Sequence, residues 1–211
     1  MNLEVDEKNE RIFQAAKEQF ALHGYHQTST NLIAEHADVS KALIFHHFKS
    51  KKKLYLINIE RSIDLMYSAF EKEWYTDKTK DFFGMMKKLV SIKMTVAIKY
   101  PMDNKLLMQA FHSPPKEIAQ ELQLLVVEKS QAMQTLSDES IFSLLTPLSI
   151  REGVELEHAK NLIRIVFDSF AQRIVVEYDG RYEEMVNNSE EILADMDAII
   201  DILKYGVSKQ R

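Results

Sequence analysis

From Asp6 onward, apolar residues recur at spacings of three and four. Ile12, Phe13, Ala16 and Phe20 fall on one broad stripe, with Lys17 and Glu18 off it. That period belongs to an amphipathic helix packed on one side. It returns along the chain with few interruptions, because 211 residues include only 5 Gly and 4 Pro. So few breakers cannot supply the turns of a sandwich or barrel, and the expected fold is all-α. A hydrophobic content of 45% suits a packed core. The sequence lacks Cys, which removes disulfides and thiolate metal sites and suits a reducing compartment. The opening MNLEVDEKNE is acidic and polar, unlike a signal peptide. No apolar run nears the roughly 20 residues of a membrane helix. These features lead us to expect a soluble, cytoplasmic helical protein without a cofactor.

The punctuation divides the chain. The first helix is expected to stop at His23-Gly24, with Gly24 as the left-handed residue after its end. Thr28, Ser29 and Thr30 are helix-start residues, and Leu32, Ile33 and Ala37 follow as a short helix. Ala37-Asp38-Val39 breaks it, and Ser40 caps a third short helix reaching Phe48. Helix, short helix, tight turn and short helix make a helix-turn-helix. Ser50 caps a fourth helix to Trp74 or Tyr75, with apolar positions Leu54, Ile57, Leu65, Met66 and Phe70. Further helices are expected over 80–99, 104–111, 113–135, 156–178 and 187–207.

Charge is unevenly placed. The chain carries a formal net charge of -5. Ser40 to Lys53, SKALIFHHFKSKKK, nevertheless holds five lysines and no acid. On a helical wheel Ile44 and Phe48 turn inward. Ala42, Leu43 and His46 point away, flanked by Lys41, Phe45 and His47. An exposed apolar and aromatic set on a short helix is poor surface chemistry. It suits a DNA major groove, where apolar side chains meet thymine methyl groups. Nearby lysines then neutralise phosphates and make binding salt-dependent. Lys51, Lys52 and Lys53 oppose the dipole of the fourth helix at roughly 0.3–1 kcal/mol each. A phosphate docked there would reverse that sign.

These residues carry a resemblance. Phe20-Ala21-Leu22-His23-Gly24-Tyr25, Thr28-Ser29-Thr30, Ile33-Ala34-Glu35, Val39-Ser40-Lys41, His46-His47-Phe48, Ser50-Lys51 and Leu54 resemble the N-terminal domain of TetR-family transcriptional regulators. The match covers about residues 10–56. The resemblance implies a dimeric, ligand-responsive DNA-binding repressor of about nine helices. Residues 1–50 would read DNA, and residues 51–211 would hold effector and form the dimer. It places the DNA contacts on Thr28, Thr30, Ser40, Lys41, Leu43, Phe45, His46, His47 and Lys51. Three departures from the family pattern, at four positions, stand out. Asp38 stands where Gly is common in the turn, and Phe45 stands where Tyr is usual. Ala42 and Leu43 replace Gly and Ala. The last change favours apolar base contacts and thymine.

The remainder is rich in Met and aromatic residues, which suit either core or a deformable apolar pocket. The pocket candidates are Trp74, Phe82, Met86, Met108, Phe111, Phe167 and Phe170, with His112 and Arg173 as polar orienters. They suit a small apolar or amphipathic effector. Ile192, Leu193, Met196, Ile199, Ile200 and Leu203 lie on one face of the last helix, and Ala194, Ala198 and Ile202 on another. A helix apolar on two sides is buried on two sides. With Leu162, Ile163, Val166, Phe167, Phe170 and Ile174 it suggests a homodimer through the last two helices, matched to a palindromic operator.

Enzyme chemistry finds no support, since phosphate loop, nucleophile elbow and His-Glu-x-x-His are all missing. The pairs His23 with His26 and His46 with His47 are poorly spaced for one metal. The rival reading is a helical interaction module whose lysines meet an acidic protein or a membrane surface.

Overall fold

The structure, a computed structural model, describes residues 3–74, 81–125, 127–129, 142–146, 150–178 and 181–206. Regular structure among them is entirely helical, as expected, in ten α-helices. They are α1 (Leu3–Gln27), α2 (Thr30–His36), α3 (Lys41–Phe48), α4 (Lys51–Trp74), α5 (Phe82–Lys99) and α6 (Pro101–His112). A 3-10 turn, Lys116–Ile118, leads into α7, helical over 119–125 and 127–129. The last three are α8 (Leu156–Glu177), α9 (Tyr182–Asn187) and α10 (Ser189–Tyr205). The expected stops at Thr135, Asp179-Gly180 and Val207 lie outside the described residues. Among the described residues, no helix is long and apolar enough to cross a membrane.

Contacts group residues 1–68 with 99–129 as one compact unit, and 69–98 with 130–211 as another. In the first unit, α1 packs on α2 and α6, and α2 on α3. Ile12, Ala15, Ala16 and Phe20 form the buried stripe of α1. The ring of Phe20 meets Tyr55 edge-on at 4.9 Å. Removing a side chain such as Ile12 or Phe20 from water is worth about 1.5–3 kcal/mol, and an alanine methyl about 0.8 kcal/mol.

The helical path of α1 breaks at Gly24, whose φ of 73° and ψ of 172° are reached readily only by Gly. An added Cβ would meet nothing within 4 Å. Gly24→Ala therefore isolates the backbone term. Its expected cost is about 1–3 kcal/mol, read as a fall in the urea midpoint.

The inward face of α4 differs from the expected one. Leu54, Tyr55, Asn58, Ile59, Ser62 and Ile63 are buried, whereas Leu65 is exposed and Ile57, Met66 and Phe70 are half-buried. Two polar residues therefore sit on the buried stripe. Asn58 donates to the Leu54 carbonyl at 2.9 Å. The Ser62 hydroxyl donates to Asp103 Oδ1 at 2.8 Å, and Lys17 Nζ donates to Asp103 Oδ2 at 3.0 Å. One buried carboxylate thus joins α1, α4 and α6. The pairing also explains why α6 begins at Pro101 rather than near Asn104. Proline fits the first turn, where its missing N–H has no partner to lose, and Asp103 then sits in that turn.

In the second unit, Phe82, Met85, Met86, Ile163, Phe170 and Met196 are buried. The final helical stretch is two helices, because Asn188 leaves helical geometry at ψ 12°. Buried Tyr182 fixes the short α9 by donating its hydroxyl to the Ala97 carbonyl at 2.7 Å.

Candidate nucleic-acid interface

Three serines set the frame. Ser29 Oγ accepts from Leu32 N–H at 3.1 Å, Ser40 Oγ from Leu43 N–H at 3.2 Å, and Ser50 Oγ from Lys53 N–H at 3.1 Å. Each satisfies an orphan donor of the helix it precedes. Between α2 and α3, Val39 N–H reaches the Ala34 carbonyl and Asp38 N–H the Glu35 carbonyl, at 3.0 and 3.2 Å. That is a Schellman closure. Its left-handed position is held by Asp38, at φ 51°. Asp38 also pairs with Arg11 at 3.3 Å on the surface.

The third helix is fixed from below. Ile44 and Phe48 are buried, and Phe48 meets Phe13 edge-on at 5.1 Å. Its outer surface carries Lys41, Ala42, Phe45 and His46 exposed, with Leu43 and His47 half-buried. Phe45 keeps 41% of its surface in water, with Lys41 Nζ 5.8 Å from its ring centre. The helix ends in a tight reversal. Lys49 has φ 64°, and Ser50 N–H bonds the Phe48 carbonyl at 2.7 Å. This is a γ-turn of the rare, strained kind.

The expected contacts differ in exposure. Thr30 lies half-buried in the first turn of α2, and Ser40, Lys41, Phe45 and His46 are open. Two expected contacts are already engaged within the protein. Thr28 is 1% exposed, and its hydroxyl donates to the carbonyls of Gln19 at 2.9 Å and Gly24 at 2.8 Å. It closes the end of α1, and its side chain is turned into the protein. Thr28→Val should lower stability by about 1 kcal/mol and leave DNA affinity within about two-fold of the parent, in paired melts and titrations. Lys51 Nζ donates to the carbonyls of Tyr25 and Thr28. Lys52 pairs with Glu121 and holds that carboxyl below its ordinary range, chiefly through their hydrogen bond. Lys53 is exposed.

The pocket candidates divide between the units. Met108, Phe111 and His112 lie in the first, where Phe111 and His112 are exposed. Trp74, Phe82, Met86, Phe167, Phe170 and Arg173 lie in the second. There Phe82, Met86 and Phe170 are buried, while Arg173 is exposed and pairs with Asp195 at 2.7 Å. Among the described residues, no group of three or more His, Asp or Glu is placed to hold a metal. Sequence reasoning missed the Lys17–Asp103–Ser62 cluster. No local signal could join residues 86 positions apart.

Comparisons with known proteins agree with this geometry. Residues 12–56 match the family described as bacterial regulatory proteins, tetR family, and residues 80–208 match the tetracyclin repressor-like C-terminal domain. The transcriptional activator FasR of Mycolicibacterium smegmatis is 40% identical over 64 residues, covering 30% of this chain and 29% of FasR. The regulator RutR of Escherichia coli is 29% identical over 133 residues, 60% of each chain. The chain thus matches less than two thirds of the length of either curated relative. In fold it is similar to the fatty acid degradation regulator FadR of Bacillus halodurans, with TM-score 0.64 and 18% identity over 96% of this chain and 97% of that one. A TetR-family regulator of Chloroflexus aurantiacus gives 0.62 and 20%, over 97% and 95%. The second family match alone spans more than half of the chain, and the chain belongs to the TetR family of DNA-binding transcriptional regulators, which are not enzymes.

Proposed function

We propose that this regulator is a homodimeric repressor that leaves a palindromic operator when a small apolar or amphipathic effector binds. The observation that carries the DNA side is the outer face of α3, which presents Lys41, Ala42, Phe45 and His46 to solvent with no acid between Ser40 and Ile59. Ala42 and Leu43 would meet thymine methyl groups, and Thr30, Ser40 and the lysines would meet backbone. On this reading residues 1–50 read DNA, residues 51–211 respond to effector, and the protein works in the cytoplasm where DNA lies.

Two features support the rest. In the second unit α8 exposes Leu162, Ile165 at 62% and Val176 at 66%, and α10 exposes Ala194, Ala198 and Ile202. A second copy related by a two-fold axis would bury those faces and pair two heads on half-sites one helical turn apart. The buried Phe82, Met86 and Phe170, with half-buried Trp74 and Phe167, supply a deformable apolar interior for an effector. The fold neighbour named for fatty acid degradation makes acyl compounds the first class to screen.

The test is a titration of purified protein against duplex from upstream of its own gene and against scrambled duplex, across a salt series. Selective binding near 150 mM salt with a steep slope is expected, as is release by an amphipathic compound. Equal weak binding to every genomic fragment after ligand stripping would overturn operator reading. Selective binding that no compound relieves would leave the head and remove the effector switch.

A further inference from the structure

Lys51 breaks a local rule. Positive charge in the first turn of a helix opposes its dipole, and the first turn of α4 contains no acid. The structure gives this charge an internal destination. Lys51 Nζ donates to the Tyr25 carbonyl at 2.9 Å and to the Thr28 carbonyl at 3.1 Å, and lies 4.3 Å from the Tyr25 ring centre. Both carbonyls lie beyond the Gly24 break, in the stretch that leads from α1 into α2. Tyr25 also packs against Tyr55 of α4, at 5.0 Å between centroids. Burial first, then the charge of Glu117, pushes the Tyr25 hydroxyl up in pKa, with Lys52 opposing.

An ammonium has three N–H donors. Two of these are committed here and the face of a ring covers the charge. Swinging out to a phosphate would release both carbonyls from a segment that already bends through Gly24. Lys53, two residues on, is exposed. We propose that Lys51 is a positioning residue of the reading head rather than a phosphate contact. It clamps the α1–α2 segment to the first turn of α4, and so fixes where α2 and Thr30 meet the DNA backbone. This rests on the head reading duplex DNA. It differs from the role that the family resemblance gives the same lysine.

Salt separates the two roles. Each lysine that neutralises a phosphate contributes about one to the slope of log K against log salt. The full-length chain is used to select a duplex from a random pool, and titrations then compare Lys51→Met and Lys53→Met with the parent. Lys51→Met is expected to bind about ten-fold or more weakly at every salt concentration, with the slope unchanged. Lys53→Met is expected to lower the slope by about one. A slope lowered by about one in Lys51→Met, or an affinity left at the parent's, would overturn the proposal. Nitrogen-15 spectra of lysine ammonium groups in the unaltered protein decide the case if Lys51→Met does not fold. A slowly exchanging Lys51 signal in the free protein, retained on DNA, supports the clamp. A signal that emerges only with DNA overturns it. Failure of the unaltered protein to select any duplex removes the DNA reading itself, a result distinct from all of these.

Discussion

Asp103→Ala is expected to lower the stability of the first unit by about 3 kcal/mol, near the low end of the range for breaking a buried ion pair. The substitution removes two bonds at once. Lys17, with 16% of its side chain exposed, keeps its charge and loses its partner. Ser62, at 1% exposure, loses the acceptor of its hydroxyl. A cavity of about 240 Å³ lined by Lys17, Asn58, Ser62 and Asp103 admits water to the orphaned ammonium, which keeps the loss from the upper end of the range. Asp103→Asn retains an acceptor for Ser62 and should cost less. Joint replacement by Lys17→Met and Asp103→Leu should recover much of the loss, because apolar residues of similar volume often replace buried pairs without penalty. Urea midpoints of these variants, with hydrogen exchange of α1 and α6, measure the effect. A loss below about 1 kcal/mol in Asp103→Ala would show that the pair contributes no more than an exposed one.

Phe48→Ala is expected to cost about 3–5 kcal/mol, as buried aromatic truncations do. Phe48 holds the C-terminal end of α3 against α1. Its edge-to-face contact with Phe13 adds about 0.5–1.5 kcal/mol to the burial. The helix it fixes has only Ile44 as a second buried residue. DNA affinity should therefore fall with stability, since the outer face loses its seat. Phe48→Leu keeps most of the apolar contact and should cost clearly less. Equal stabilities for Phe48→Ala and the parent in a thermal melt would mean that α3 is held elsewhere.

The helix-turn-helix was legible because its determinants are contiguous. Ser40 precedes α3, Ile44 and Phe48 are four apart, and Asp38 sits where a left-handed residue closes the turn. What escaped depends on distant partners. Asn58 and Ser62 face inward on α4, so an apolar count alone misplaced its buried stripe. Ser62 faces in because Asp103 waits 41 positions away. Thr28 reads as a helix-start residue, yet its hydroxyl closes the preceding helix instead. The gap expected between helices 80–99 and 104–111 is closed by Pro101, because a proline that cannot continue one helix can open the next. The apolar character of α8 and α10 was legible too, and the structure leaves Leu162, Ile165, Val176 and Ile202 exposed there.

Among the described residues, the two non-glycine residues with positive φ are Asp38, two positions before the cap Ser40 of the third helix, and Lys49, directly after that helix. Between them the backbone route is set by the two reversals and by Ile44 and Phe48, not by the residues that point outward. Residues 40–48 therefore behave as a cassette. Lys41, Ala42, Phe45 and His46 are exposed, and changes at such positions usually alter stability by no more than about 0.5 kcal/mol. If α3 reads the operator as proposed above, new operator preferences would accumulate by divergence at those four sites while the residues that hold the fold stay fixed.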